Sequence, residues 1–131
     1  MLGRHMDALI IASVGSDIEQ FERMNSRAQP YILIDRDLAG LEANFVGIND
    51  KRAGYLATQH LISMGCRRIA HIRGQDNSPG NGRFEGYKDA LHDNRLPFSD
   101  DYVVRRSYVD IETTRQGAEA MRLMLERDPR P

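Results

Sequence analysis

The chain has 131 residues, of which 40% are hydrophobic and 28% charged, and its formal net charge is -1 at pH 7. This length and composition are those of an ordinary globular domain, and they exclude a disordered or fibrous chain. A balanced charge also excludes the basic surface that neutralises many phosphates. We therefore do not expect this part of the protein to bind nucleic acid by itself.

The single cysteine, Cys66, excludes an internal disulfide and a cysteine-based zinc cluster, which fits a reducing cytoplasm. No apolar run approaches the ~20 residues that span a bilayer. The first five residues are not followed by the apolar core of a signal peptide. These features predict a cytoplasmic protein with no membrane segment.

The first part of the chain alternates apolar runs with an amphipathic stretch. Residues 7–13 form a continuous apolar run, which is typical of a strand covered on both faces in a parallel sheet. Ser16 or Asp17 can cap a helix to about residue 27, whose inner stripe would carry Ile18, Phe21 and Met24. Further strands are predicted at 31–35 and 45–48, separated by a surface loop at 37–44.

The stretch from residue 49 to 83 organises the second part of the chain. Asn49 can cap a helix, and Asp50 suits its positive end. Apolar residues recur at helical spacing up to the glycine stop Gly65, namely Leu56, Leu61 and Met64, together with His60.

A strand at 68–73 is predicted to follow this helix and to run into a polar, glycine-rich loop at 74–82. Such a loop, at the carboxyl end of a strand and before a helix, is where open α/β sheets bind ligands. The remaining predicted elements are a helix at 82–94, a strand at 102–105 and a helix at 112–127. The expected inner stripes are Phe84, Tyr87, Ala90 and Leu91 in the first helix, and Ala118, Met121 and Leu125 with Met124 beside them in the second.

Strands separated by helices predict the α/β class, built from parallel βαβ units. Parallel strands with two apolar faces need neighbours, and only about five strand segments are present. We therefore expect a segment of a longer α/β protein.

In order and spacing, several blocks resemble the effector-binding domain of LacI/GalR-type transcription regulators, which has the fold of periplasmic sugar-binding proteins. These blocks are 7–13, 30–36, 46–50 with Ala53 and Gly54, 60–70, 82–87 with Ala90 and Leu91, and Gly117 with Ala120 before 129–131. The resemblance implies that residues 1–65 belong to the N-terminal lobe and residues 66–131 to the C-terminal lobe, with a hinge at Gly65 and Cys66. It also implies that the DNA-binding domain is absent from this segment.

The resemblance assigns effector contacts to Arg83 and Asp50. A guanidinium fork and a carboxylate can bind the hydroxyls of a small polar ligand in pairs. Each residue also has a simpler interpretation, because Arg83 could be a solvated arginine near a helix start and Asp50 a first-turn carboxylate that complements the helix dipole.

Four further candidates are assigned in the same way. Asn77 and Ser78 match the loop of the C-terminal lobe that approaches the effector, although they would also serve as ordinary turn residues. Tyr108 would supply a stacking aromatic ring, and Ser13 ends the first strand; either could be a plain strand-end residue.

The implied protein is a homodimeric repressor that senses a sugar or another small polar ligand and binds operator DNA through a separate helix-turn-helix domain. Two alternatives stay open: an α/β enzyme that binds a nucleotide phosphate at 74–83, and an exported sugar-binding protein. Gly80, Gly82 and Gly86 form only a loose dinucleotide fingerprint. The four histidines lack metal-ligand spacing, so we expect no metal and no cofactor.

Overall fold

The computed structural model describes residues 6–12, 18–74, 76–105 and 113–131. The helices and strands are, in chain order, β1 (Leu9–Ile11), α1 (Ile18–Ser26), β2 (Tyr31–Ile34), β3 (Asn44–Val46), α2 (Asp50–Ser63), β4 (His71–Arg73), α3 (Ser78–Asp93), β5 (Val103–Arg105) and α4 (Thr113–Leu125), with a 3-10 turn at Asp100–Tyr102 before β5. Both sheets are parallel, which confirms the predicted α/β class. The chain divides into two compact units, residues Met1–Ile48 and Asn49–Pro131.

The first unit contains a three-stranded sheet in the order β1, β2, β3. Its core is made by Phe21, Leu33 and Leu38, with Leu33 fully buried and Met24 packed against them. The predicted inner stripe of α1 is therefore confirmed at Phe21 and Met24. The caps predicted at Ser16 and Asp17 lie outside the described residues.

The strands of this unit are shorter and more exposed than predicted. β1 has three residues where seven were expected, and Ile10 is 74% exposed. All three residues of β3 are exposed, and the strand ends at Val46 instead of residue 48. The core lies on one side of the sheet, around α1, so the described part of the unit does not cover both faces.

The second unit contains β4 paired with β5, together with α2, α3 and α4. Its core cluster is formed by Ile62, Ile69, Phe84, Tyr87 and Leu91. The predicted inner stripe of α3 is confirmed, since its four residues are all at most 8% exposed. Burying such side chains contributes roughly 1.5–3 kcal/mol each, which makes α3 the centre of this unit.

Two predicted helix stripes differ from the faces that the structure buries. On α2, Leu56 and Met64 are 50% and 71% exposed, whereas Thr58 and Ile62 are buried. The α2 face that packs carries Gly54, whose missing side chain allows α3 to approach closely. On α4 the buried residues are Ala120 and Met124, so Met124 is confirmed, whereas the predicted Ala118, Met121 and Leu125 are exposed.

The predicted loop at 74–82 is also too long, because α3 begins at Ser78 instead of Gly82. Asn77 caps the helix by accepting a hydrogen bond from the backbone N–H of Gly80 at 2.9 Å. Pro79 occupies the first turn, where its missing N–H costs nothing. Asn49 caps α2 in the same way, accepting from the backbone N–H of Arg52 at 2.8 Å, as predicted.

Gly65 ends α2 with a positive φ of 93°, the conformation expected of a glycine stop. The Cys66 N–H donates to the Leu61 carbonyl at 3.1 Å, and Arg67 donates to the Ile62 carbonyl at 3.2 Å. The turn predicted as a hinge therefore lies inside the second compact unit. The division into lobes at residues 65 and 66 stays a prediction, and the boundary between the compact units falls earlier in the sequence, between Ile48 and Asn49.

Candidate functional site

Three glycines bring α2 and α3 together. A Cβ on Gly86 would lie 2.0 Å from the Lys51 carbonyl oxygen, and one on Gly54 would lie 2.1 Å from the Arg83 carbonyl oxygen. A Cβ on Gly82 would lie 2.9 Å from the Cβ of Asp50. The backbones of the two helices are thus in direct contact, and this crossing places the first turn of α2 beside the second turn of α3.

An ion pair forms at this crossing. The Nε of Arg83 lies 2.7 Å from Oδ1 of Asp50, so the two main predicted effector residues are in direct contact. The Asp50 side chain is only 11% exposed, whereas that of Arg83 is 50% exposed. Among the described residues, Asp50 is the only partner of the Arg83 side chain. The pair therefore presents an anchored carboxylate and an accessible guanidinium on one surface.

Further polar contacts fix how the two helices are aligned. Lys51 Nζ lies 2.7 Å from Asp89 Oδ2, and the Tyr55 hydroxyl donates to Asp93 at 3.1 Å. The hydrogen bond to Asp89 raises the pKa of Lys51, and the one to Asp93 raises the pKa of Tyr55. These contacts run along the same helix pair as Asp50 and Arg83, so the position of the ion pair is set by the whole crossing.

The start of α3 carries the next two predicted site residues. Asn77 is the N-cap, and Ser78 is the exposed first residue of the helix. Arg83 follows Ser78 by five residues, a rise of roughly 7.5 Å along the helix. Backbone N–H groups at a helix start favour polar acceptors and anions. Asn77, Ser78 and Arg83 therefore belong to one end of one helix.

Arg73 is a feature that the sequence analysis missed. It ends β4, is 8% exposed, and its Nη2 donates to Asp76 Oδ1 at 2.6 Å and also to Asn81 Oδ1. Its guanidinium carbon lies 4.7 Å from the centroid of the Phe84 ring. A charged residue at the end of a predicted strand, three positions before an aspartate, was the available signal.

Behind this surface lies an aromatic cluster. The His71 ring packs 5.5 Å from Phe84 and 5.0 Å from Tyr87, measured between ring centroids. Burial, and secondarily the charge of Arg73, lower the pKa of His71, so this side chain is neutral at pH 7. Burial raises the pKa of Tyr87 to about 12, and its hydroxyl donates to the Ile69 carbonyl at 2.8 Å. The cluster is a structural support without a titrating group at pH 7.

Four of the six predicted site residues thus lie in the second unit, and the structure brings Asp50 and Arg83 into contact. Tyr108 and Ser13 lie outside the described residues. The effector role of all six stays a prediction. Gly82 and Gly86, which suggested a loose dinucleotide fingerprint, face α2 and are explained by helix packing.

A carboxylate can accept from one ligand hydroxyl while the guanidinium beside it donates to the next hydroxyl. In the described ranges, no group of three or more His, Cys, Asp or Glu side chains could hold a metal ion. None of the helices described there is long and apolar enough to cross a membrane.

The sequence and the fold of this chain are similar to those of known proteins. The sequence is 32% identical over 133 residues to the catabolite control protein A of Priestia megaterium, covering 100% of this chain and 39% of that protein. It is 34% identical over 132 residues to the HTH-type transcriptional regulator CelR of Thermobifida fusca, covering 98% of this chain and 38% of that protein. The structure matches that of a CelR–cellobiose complex with a TM-score of 0.81 and 31% identity, over 97% of this chain and 38% of that chain.

The chain thus spans well under half the length of these relatives. CelR is named a transcriptional regulator, which is the class of protein that the resemblance in the sequence implies. Residues 1–131 match the family described as periplasmic binding proteins and sugar binding domain of LacI family. This match confirms the resemblance noted in the sequence, and the chain belongs to that family.

Proposed function

We propose that this chain is part of the effector-binding domain of a LacI-type transcription regulator, and that Asp50 and Arg83 bind a sugar. The observation that carries the proposal is the 2.7 Å contact between these two side chains. They come from different helices, 33 residues apart, and a glycine-lined crossing holds them together. The first residue of α2 and a residue of α3 therefore act as one binding group.

The chemistry of the pair suits a sugar. Adjacent hydroxyls of a sugar each donate and accept, so one can donate to the Asp50 carboxylate while the next accepts from the Arg83 guanidinium. Asp50 stays in place because it lies in the first turn of α2, where the helix dipole favours a negative charge. Arg83 is half exposed and can turn toward a ligand. Asn77 and Ser78, at the start of the same helix as Arg83, would contact other hydroxyls.

Relatives support a sugar over other polar ligands. One structural neighbour is a CelR–cellobiose complex, and other similar proteins are named GalR, ribose operon repressor and arabinose metabolism transcriptional repressor. Cellobiose, galactose, ribose and arabinose are therefore the first ligands to test.

Ligand binding would regulate DNA binding through linkage. A sugar that binds one arrangement of the domain more tightly than another shifts the protein toward that arrangement, by as much as the two affinities differ. In this proposal the full-length protein is a cytoplasmic homodimer that binds a symmetric operator through a helix-turn-helix domain elsewhere in the polypeptide. Residues 1–65 and 66–131 would then belong to the two lobes of the effector domain.

The test uses the full-length protein and two readouts. Isothermal titration calorimetry measures binding of the four sugars, and fluorescence anisotropy measures operator binding with and without each sugar. We expect at least one sugar to bind and to change operator affinity. Arg83→Ala should abolish that response while leaving operator binding in the absence of sugar intact.

Arg23→Ala is the matched control. Arg23 forms an exposed ion pair with Glu19 on α1, in the first unit, so Arg23→Ala also removes one arginine from an ion pair but does not touch α2 or α3. An unchanged sugar response in Arg83→Ala would contradict the site assignment. ATP and inorganic phosphate belong in the same titration, because affinity that depends on a phosphate group would contradict the regulator and favour a nucleotide-binding enzyme.

A further inference from the structure

The residues around Asn77 and Ser78 are tied to a single buried side chain. Nη2 of Arg73 donates both to Asp76, immediately before these two residues, and to Asn81, three positions after Ser78. One guanidinium nitrogen therefore bonds to a residue just before Asn77 and Ser78 and to a residue just after them.

The same guanidinium also contacts the residue next to Arg83. Its carbon lies 4.7 Å from the ring centroid of Phe84, a cation–π contact that is strengthened because the Arg73 side chain is only 10% exposed. Phe84 is itself 8% exposed and packs in the core of the second unit. The Arg73 guanidinium thus packs on a core residue, Phe84, and also bonds to the start of α3.

We propose that Arg73 is a positioning residue for the effector site: it holds the first turn of α3, and with it Asn77 and Ser78, at a fixed place relative to Arg83. The expected effect on sugar binding rests on the proposed function, whereas the effect on the position of the helix start does not. Arginine suits this role because its planar guanidinium can donate to two acceptors while stacking on a ring. A lysine would keep the positive charge but lacks the planar group that lies over the Phe84 ring.

Hydrogen exchange tests the positioning directly. The backbone N–H groups of Gly80 and Asn81 bond to the side chain and the carbonyl of Asn77, at 2.9 and 2.8 Å, so their exchange rates report on the first turn of α3. In the full-length protein, Arg73→Met keeps much of the stem that packs on Phe84 and removes both hydrogen bonds of the guanidinium. We expect the exchange at Gly80 and Asn81 to be about tenfold faster, and Arg73→Lys to restore it only in part.

Lys88→Met is the matched control. Lys88 Nζ also lies over the Phe84 ring, at 5.0 Å, but its ion-pair partner is Glu85 at 2.7 Å and not a residue of the helix start. Asp76→Asn and Asn81→Ala provide second variants at exposed positions, where folding is not at risk. Each should reproduce part of the faster exchange seen in Arg73→Met. Combined with Arg73→Met in a double variant, each should increase the exchange rate little further.

Calorimetry with cellobiose, galactose, ribose and arabinose tests the binding consequence. For a sugar that the wild type binds, we expect about tenfold weaker affinity in Arg73→Met and unchanged affinity in Lys88→Met. Exchange in Arg73→Met equal to that in Lys88→Met would overturn the proposal, and so would faster exchange with unaltered sugar affinity. If the wild type binds none of these sugars, the proposed function fails, and the exchange rates alone decide whether Arg73 holds the helix start.

Discussion

The crossing of α2 and α3 makes a quantitative prediction for Gly86→Ala. The new Cβ would lie 2.0 Å from the Lys51 carbonyl oxygen and 2.6 Å from the Tyr55 backbone nitrogen. An ordinary C···O contact is about 3.3 Å, so the helices would have to separate by roughly 1.3 Å. Overpacking of this kind costs typically 1–3 kcal/mol, and the upper end applies because both obstacles are backbone atoms.

The better helix propensity of alanine offsets about 1 kcal/mol of this cost. We therefore expect Gly86→Ala to lower the free energy of unfolding by about 2 kcal/mol, which at a urea m-value of about 2 kcal/mol/M moves the midpoint by about 1 M. Urea unfolding followed by circular dichroism measures this change. The separated helices should also weaken the contact between Asp50 and Arg83, and with it any sugar binding.

Gly117→Ala provides the matched control for this substitution. Gly117 lies inside α4, and a Cβ there would meet no atom within 4 Å, so the same change should stabilise the protein by roughly 0.5–1 kcal/mol. Gly82→Ala should fall between the two, because its nearest obstacle is a side-chain carbon at 2.9 Å. If Gly86→Ala proves as stable as Gly117→Ala, the direct contact between the two helices is refuted.

Two further predictions concern the core behind the site. Burial lowers the pKa of His71 in the folded protein, so as the pH falls below about 6.5 the unfolded chain binds this proton first and the free energy of unfolding decreases. His71→Phe should therefore reduce the decrease in unfolding free energy between pH 7.5 and 5.5. An unchanged slope would contradict this. Tyr87→Phe removes the hydroxyl that donates to the Ile69 carbonyl and should lower the free energy of unfolding in urea by about 1 kcal/mol. Tyr55→Phe, which removes a solvent-exposed hydrogen bond, should leave the urea midpoint unchanged. A larger loss of stability in Tyr55→Phe than in Tyr87→Phe would be inconsistent with the burial of Tyr87.

The local signals that predicted helix ends were reliable because they act within a few residues. Asn49 caps α2, Gly65 ends it with a positive φ, and the apolar stripe of α3 is buried around Tyr87. Each of these features depends on the chemistry of one or two neighbouring turns, which a sequence shows directly.

The packed face of α2 could not be predicted in the same way. Leu56, Leu61 and Met64 have helical spacing, yet the face toward α3 carries Gly54 and Thr58 instead. A pattern of apolar residues predicts which face is hydrophobic, but the approach of another helix depends on where small residues meet in three dimensions. The start of α3 was missed for a related reason, since glycines inside a helix resemble a loop until their contact with α2 is known.

The candidate site was predictable in its members but not in its geometry. Arg83 and Asp50 were assigned through resemblance to a family, and their direct contact appears only in the structure. Arg73 escaped notice because its partners, Asp76 and Asn81, lie in a stretch predicted to be a loop. The division at Gly65 and Cys66 rested on the resemblance as well, whereas the compact units reflect the packing of α2 on α3.

The position of a bound sugar is the most direct test of the proposed site. A crystal structure of the full-length protein with a sugar that it binds in solution would measure the distances from the sugar hydroxyls to Asp50 and Arg83. We predict hydroxyl oxygens within about 2.7–3.2 Å of the Asp50 carboxylate and the Arg83 guanidinium. A sugar bound elsewhere, with the 2.7 Å contact between Asp50 and Arg83 undisturbed and covered from solvent, would contradict it.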